Sequence, residues 1–291
     1  MKYKKWIDKN CQDLTGKTVV ITGATGGIGE QAVKHFLYLN ATVIMAVRNI
    51  DKANKFITTI ESSNKPIVLK LDLSSNQSID SFIEELETNN YHIDYFIHNA
   101  GIYHLKPVET SDHHEIHFQT NHLSSYLLTL KLHRLFGNSC KIVYVNSVSY
   151  YVGKIDFEDF ENRNNRNKTT HYATTKLTSL CATLYLKNME GYNIEIVHPG
   201  VSTTSMISSK NGGFGKLFDI FIVPLCKLIF MSPEKAALNL VYGCFCNTKE
   251  NEIIGPRGFL SFWGYPKKHK ISKKVFKYDL KLVNKMTQEL I

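Results

Sequence analysis

An α/β domain, one parallel sheet wound with helices on both faces, is predicted by three observations. Short apolar, β-branched runs alternate with longer amphipathic stretches along the chain. The first run, Thr18-Val19-Val20-Ile21, leads into a glycine-rich turn, TGATGGIG at 22–29, and then a helical pattern at 30–37. Polar or small residues stand directly after several later runs, at the carboxyl strand ends where open parallel sheets bind their ligands.

The elements follow in order. Predicted strands lie at 19–21, 42–47, 67–71, 95–97, 142–146 and 194–197, with a short last one at 253–254. Predicted helices lie at 27–39, 51–63, 76–90, 112–136, 172–190 and 233–247. Right-handed crossovers then give a single Rossmann-type doubly wound domain with a parallel seven-stranded sheet and helices on both faces. That domain spans 1–291, with a core at about 15–255, a substrate-loop region at 201–231 and a basic C-terminal extension at 256–291. No internal repeat or linker is visible. The Asn/Arg-rich stretch at 161–168 reads as a surface loop.

Composition narrows the class. The chain has 291 residues and is 43% hydrophobic, which suffices for one large core. Its net charge of +9 gathers near the C-terminus, at Lys267, Lys268, Lys270, Lys273, Lys274, Lys277, Lys281 and Lys285. Val275, Leu282, Met286 and Leu290 recur among them at roughly helical spacing. The favoured reading is a solvated basic helix packed on its own domain; peripheral contact with an anionic membrane is the alternative. No motif supports nucleic-acid binding. The basic N-terminus is followed by no apolar stretch, so a secretory signal is not expected. The apolar run at 217–231 is broken by Asp219, Pro224 and Lys227, so neither is a membrane span. Cys11, Cys140, Cys181, Cys226, Cys244 and Cys246 fit free thiols in a reducing cytoplasm.

The glycine-rich turn points to a nucleotide. Gly23, Gly26, Gly27 and Gly29, with Thr25 and Ile28, let the backbone approach a pyrophosphate at a helix N-terminus. After the second strand, where an NAD site places an acid, stand Arg48 and Asn49. A guanidinium there suits a 2′-phosphate, so the predicted cofactor is NADP(H). Asp51 reads as a helix cap or first-turn residue. Asp72 and Leu73 are placed to reach the adenine edge, unless Asp72 caps the Ser74-Ser75 turn. Asn99, Ala100 and Gly101 end the fourth strand with small residues that admit a cofactor. Ser147 follows the fifth. Tyr172 and Lys176, at i and i+4, share a helical face, and an ammonium near the phenol is expected to lower its pKa. Tyr150 and Lys154 repeat that spacing, but Gly153 breaks the segment and argues against a helix there.

Together these residues resemble the short-chain dehydrogenase/reductase family. The matching pieces are TGATGGIG at 22–29, HNAG at 98–101, Asn121 in TNHLSSYLLT, Ser147, Tyr172 with Lys176, and HPGVSTT at 198–204. The long interval between Ser147 and Tyr172 is similar to the retinol dehydrogenase-like branch, which includes the WW-domain oxidoreductases. The resemblance implies an oxidoreductase that interconverts a carbonyl and an alcohol. Tyr172 would be general acid or base, and Ser147 would steady the alkoxide. Lys176 would hold the nicotinamide ribose, and Asn121 would fix a relay water. Pro199, Gly200, Val201 and Thr204 would line the nicotinamide end. A homodimer or homotetramer is compatible with this. A non-catalytic NADP(H)-binding sensor or scaffold is the alternative function.

Other signals are weaker. His98, His104, His113, His114, His117, His122 and His133 cluster, but none completes an H-E-x-x-H motif. A solvated helix face is expected for His113 and His117, with no metal. His98, which stands where the family has Asn, is expected to change only local packing, and Asn146 before Ser147 is read as neutral. The apolar stretch at 217–230 forms either a lid over a lipophilic small-molecule substrate or packing against the core or a partner subunit.

Overall fold

A computed structural model of the chain describes residues 2–103, 108–164, 167–201 and 231–291. The apolar runs become β1 (Thr18–Thr22), β2 (Thr42–Val47), β3 (Ile67–Lys70), β4 (Tyr95–His98), β5 (Lys141–Val145), β6 (Ile194–Val197) and β7 (Glu252–Pro256). An eighth strand, β8 (Pro266–Lys270), completes one sheet in the order β3-β2-β1-β4-β5-β6-β7-β8. The first seven pair in parallel, and β8 runs antiparallel to β7.

The expected seven-stranded sheet therefore gains an edge. The sequence Pro-Lys-Lys-His-Lys has no apolar alternation to announce a strand. β8 forms because its backbone pairs with β7, and its lysines suit an exposed edge that resists further pairing.

Alternate strand residues feed opposite faces of the sheet, as the two-residue strand repeat requires. Val20, Ile44, Phe96, Ile142 and Ile196 form one core with Phe82, Leu128 and Leu180. These come from α4 (Asn76–Thr88), α6 (Ser124–Phe136) and α7 (Lys168–Lys187). Val19, Ile21, Val43, Ile97, Val143 and Val197 form the other with Phe36, Phe56 and Leu240. These come from α2 (Gly27–Tyr38), α3 (Ile50–Ile57) and α8 (Pro233–Phe245).

An N-terminal helix, α1 (Lys4–Asn10), lies outside the expected core. Ile7 is fully buried and Trp6 stacks on Tyr265 at 5.7 Å, so it is packed onto the domain.

The expected helix at 112–136 is three pieces: α5 (Ile116–Phe118), a π-helical segment (Gln119–Leu123) and α6. Apolar periodicity cannot register one extra residue per turn, and π segments favour functional sites. The basic extension packs on its own domain. Val283 and Thr287 of the last helix, α9 (Leu280–Gln288), are buried, and Thr287 Oγ1 bonds His122 Nε2 at 2.9 Å. Lys281 and Lys285 stay exposed.

The amino ends of the central strands are held by buried charges. Asp94 accepts from Lys17 Nζ and the Thr18 amide, both at 2.9 Å. Lys187 pairs with Glu195 at 3.4 Å, both nearly buried, and Glu195 also accepts the Thr248 amide at 2.8 Å. Burial lowers the Lys187 pKa, so the ammonium depends on its partner. Glu195→Ala should therefore destabilise the fold by about 3 kcal/mol. The urea midpoint checks this, and a midpoint equal to wild type contradicts the role given to the pair.

Candidate active site

Strands β1 and β4 pair as far as Ile21↔Ile97, and their continuations then turn to opposite sides of the sheet. This switch of strand order opens a crevice at the carboxyl ends. Thr22 and Asn99 supply the hydrogen bonds that the ladder no longer makes there. Thr22 Oγ1 accepts the Asn99 and Ala100 amides at 3.0 and 2.9 Å, and Asn99 Nδ2 donates to the Thr22 carbonyl at 2.9 Å.

The glycine turn fits against this brace. Gly23 has φ +65°, and a Cβ on it would stand 2.8 Å from Ala100 Cα. A Cβ on Gly29 would meet the Gly23 carbonyl at 2.5 Å and Asn99 Nδ2 at 2.9 Å. Gly26, which caps α2, has no atom within 4 Å of its Cβ position. Open backbone before a helix N-terminus fits a phosphate group. Thr25, Gly27 and Ile28 are half-buried in the same turn.

Around the turn, other expected cofactor residues also hold the local structure together. Arg48 is exposed at the end of β2, and its carbonyl accepts Lys70 Nζ at 2.6 Å. Asn49 Oδ1 caps α3 by accepting the Lys52 amide at 2.8 Å, and Asp51 sits in the first turn, as expected for it. Asp72 Oδ1 accepts the Ser74 amide at 3.0 Å and Ser74 Oγ at 2.7 Å, the turn-capping alternative for this residue. Leu73 is buried, and its carbonyl accepts Ser124 Oγ at 2.6 Å.

Four side chains converge beside β4 and β5. A Cβ on Gly101 would stand 3.2 Å from Asn121 Oδ1 and 3.7 Å from Lys176 Nζ, so both groups face one small volume. Asn121 lies in the π segment. Its Oδ1 accepts the Ile102 amide at 2.8 Å, and its Nδ2 donates to the Ile102 carbonyl at 3.0 Å and to Thr175 Oγ1 at 3.3 Å. The bonds found for Asn121 thus anchor the 101–102 backbone to α7. Lys176 Nζ donates to the Val145 carbonyl at 3.0 Å. Ser147 Oγ accepts from Ser149 Oγ at 2.9 Å and is hydrogen-bonded to Tyr172.

The expected lowering of the Tyr172 pKa is overturned. Burial raises it to about 12, the Ser147 hydrogen bond works against this, and Tyr103 adds to the rise. The Lys176 Nζ lies 5.9 Å from the Tyr172 ring centroid, and burial, Ser147 and Tyr103 set the shift. Burial likewise lowers Lys176 to about 8. Tyr172 therefore holds its proton at neutral pH.

Tyr150 lies in a 3₁₀ turn (Val148–Tyr151), not an α-helix, and is buried with Lys154 outside that turn. Asn146 is not neutral. Its Nδ2 donates to the Lys176 carbonyl at 3.0 Å and its Oδ1 accepts the Ser147 amide at 2.7 Å, tying the two catalytic candidates together. A polar residue at a strand end was the available signal.

Gly200 has φ +77° and packs against the Phe262 carbonyl, which accepts the Val201 amide at 3.0 Å. Pro199 is half-buried beside them. Thr204, the stretch at 217–230, His104 and Cys226 lie outside the described residues. The other five cysteines are free thiols.

The histidine face departs from expectation. His113 is exposed, but His117 and His122 are buried. His117 Nδ1 bonds Glu115 Oε1 at 2.7 Å and His122 Nε2 bonds Thr287 Oγ1 at 2.9 Å, the second a contact that sequence spacing cannot reveal. His98 is buried, bonds Thr129 Oγ1 at 3.0 Å and is lowered to about 3 by burial. It belongs to the packing, as expected. The Asn/Arg-rich loop also turns inward in part. Arg163 and Asn164 are exposed, but Asn162 is buried.

A polar crevice at a strand-order switch, a glycine turn at a helix N-terminus and a Tyr/Lys/Ser/Asn cluster beside them define a class of protein. The family model for short chain dehydrogenase matches residues 17–212, and the chain belongs to that family. Within it, the chain falls in the retinol dehydrogenase-like branch. It is 34% identical over 211 residues to retinol dehydrogenase 14 of Mus musculus, covering 66% of this chain and 63% of that protein. Identity to the Homo sapiens retinol dehydrogenase 14 is 31% over 271 residues, covering 84% and 78%. Identity to the WW domain-containing oxidoreductase of Drosophila melanogaster is 30%, covering 85% and 62%. The chain thus spans less than two thirds of the length of two of these relatives. The fold matches an uncharacterized Mycobacterium Paratuberculosis protein, with TM-score 0.75, 24% identity and coverage of 96% and 94%. It also matches a Shigella flexneri short chain dehydrogenase complexed with NADP, with TM-score 0.59, 21% identity and coverage of 80% and 93%. Among the described residues no helix is long and apolar enough to cross a membrane.

Between pH 8 and 10.5 the unfolded chain keeps a proton on Lys176 that the folded chain has lost. Wherever the unfolded state binds more protons, stability rises with pH. Wild type should thus gain stability over that window relative to Lys176→Met. Urea midpoints of both proteins at pH 7.5, 9 and 10 measure the difference. Parallel curves would contradict the burial assigned to the ammonium.

Proposed function

We propose that the protein is an NADP(H)-dependent oxidoreductase that reduces a carbonyl on a lipophilic small molecule, with Tyr172 as the proton donor. The observation carrying this reading is the convergence of Tyr172, Ser147, Lys176 and Asn121 beside an open glycine turn. The open backbone at Gly26 and the exposed Arg48 suit the pyrophosphate and a 2′-phosphate of NADP(H). Lys176, beside Gly101, would hold the nicotinamide ribose, and Pro199, Gly200 and Val201 would line the ring. When bound, NADPH supplies the hydride.

The remaining steps belong to the chain. Ser147 Oγ orients the carbonyl oxygen and stabilises the charge that develops on it. Tyr172 Oη gives its proton to that oxygen, yielding the alcohol. Burial raises the Tyr172 phenol to about 12, so it carries its proton at neutral pH and can act as the donor. Lys176, with Nζ beside Gly101, passes a proton from solvent back to the phenolate. The Tyr103 ring, 4.7 Å from that of Tyr172 and edge-on to it, gives the carbonyl an aromatic approach. That approach and the retinol dehydrogenase names of the relatives support a lipophilic substrate.

Two measurements test the reading. NADPH oxidation followed by absorbance with a panel of lipophilic and small carbonyls should fall by at least about 100-fold in Tyr172→Phe, with NADPH binding retained. Absence of turnover in wild type despite tight NADPH binding would favour a sensor or scaffold. Arg48→Ser should weaken NADPH binding about tenfold while leaving NADH nearly unchanged. Equal weakening of both would remove the 2′-phosphate from the role given to Arg48.

A further inference from the structure

A buried cluster outside the cofactor crevice abuts the catalytic helix. Glu115 precedes α5 and accepts three hydrogen bonds. His117 Nδ1 donates to its Oε1 at 2.7 Å, while His171 Nε2 and the Phe118 amide donate to its Oε2 at 2.9 and 2.8 Å. All three side chains are almost fully buried, and the two imidazole rings meet edge-to-face at 5.1 Å. Burial opposes ionisation of Glu115, but the bonds from His117, His171 and Phe118 outweigh it and hold the carboxyl at about 2. The carboxylate therefore stays charged, its oxygens satisfied by imidazole and backbone N–H donors.

The brace continues into the interval before α7. Asn162 Nδ2 donates to His171 Nδ1 at 3.2 Å, which leaves the His171 proton on Nε2, facing Glu115. Glu161 Oε2 accepts the Glu115 amide at 2.8 Å, and its Oε1 meets His114 Nδ1 at 3.0 Å. Arg163 reaches Glu161 at 2.9 Å and Glu109 at 3.1 Å. Thus the segment before the π-helix, the loop at 161–163 and the first turn of α7 are joined by one network. His171 is the residue immediately before Tyr172 on α7, and the π segment that follows Glu115 carries Asn121.

Glu115, His117 and His171 place one ligand atom each within 4.8 Å of one another, which raises the question of a metal. Their facing nitrogens and oxygens are already paired with each other, and the second carboxylate oxygen also serves the Phe118 amide. An ion would displace two N–H···O bonds, require Asn162 to turn its amide, and find no fourth ligand among the described residues. The hydrogen-bonded arrangement is the one the geometry supports.

We propose that Glu115 and His171, braced by Asn162 and Glu161, are positioning residues that fix the start of α7 so that Tyr172 meets the substrate carbonyl at the correct angle. The inference rests on Tyr172 being the proton donor. On this reading the loop at 161–163 closes a clamp on the start of α7.

The test compares wild type with His171→Leu, His171→Gln and Asn162→Ala. In His171→Leu, kcat should fall by about tenfold to 100-fold, since small displacements of a reacting group have costs of this order. KM for NADPH and NADPH binding should not change. His171→Gln restores an N–H donor toward Glu115 and should recover most of the loss, and Asn162→Ala should show a smaller fall. Unchanged kcat in His171→Leu, or an equal loss in His171→Gln, overturns the proposal. So does activity that a chelator removes and Zn²⁺ restores. Hydrogen exchange separates this failure from failure of the reductase reading. If wild type turns over no carbonyl, faster exchange at 169–176 in His171→Leu still supports the clamp. Unchanged exchange there rejects it. Should His171→Leu fail to fold, Asn162→Ala carries the same readouts.

Discussion

The parting of β1 and β4 is the constraint on which the rest of this structure depends. Two parallel strands pair as far as Ile21↔Ile97 and then lead to helices on opposite faces. Their last backbone groups lose ladder partners, and buried unpaired groups are costly. Thr22 and Asn99 answer that demand with side chains. The brace keeps the crevice open while holding its walls together. Gly23 and Gly29 follow from it, because the approach to Ala100 and Asn99 leaves no room for a Cβ.

Burial sets the chemistry of the crevice. Tyr172 and Lys176 are both desolvated, and each is driven toward its neutral form, the phenol upward and the ammonium downward. The two shifts share one cause, the removal of water from around both groups. Asn146 and Asn121 hold Lys176 and the 101–102 backbone in place through hydrogen bonds to main-chain atoms. Charged groups at the other end of the strands serve stability. Asp94 and Glu195 lie where strands begin, away from the carboxyl ends at which ligands of such sheets bind.

Local order and tertiary position thus divide α7, the helix that carries Tyr172 and Lys176. Its N-cap is Asn167, which accepts the Thr169 and Thr170 amides at 3.0 and 3.2 Å. A cap sets where a helix starts but not how it is rotated against the sheet. The rotation of α7 is fixed by contacts with distant segments: Glu115 on His171, Asn121 on Thr175 and Asn146 on the Lys176 carbonyl.

The sequence by itself determined the seven parallel strands, the glycine turn and the Tyr172–Lys176 pairing. Each is a short-range pattern whose physical cause acts within a few residues: apolar β-branched runs, positive φ at glycine and the i, i+4 face of a helix. The β8 edge was illegible because a lysine-rich strand takes its identity from its neighbour's backbone. The π segment was illegible because apolar spacing is the same on either side of one extra residue. The sign of the Tyr172 shift and the burial of His117 depend on how much water tertiary packing removes, and that is set by residues far apart in the chain. Only the tertiary structure could bring Glu115 and His171 together, because no periodicity links positions in two different elements whose contact is decided by how their helices dock.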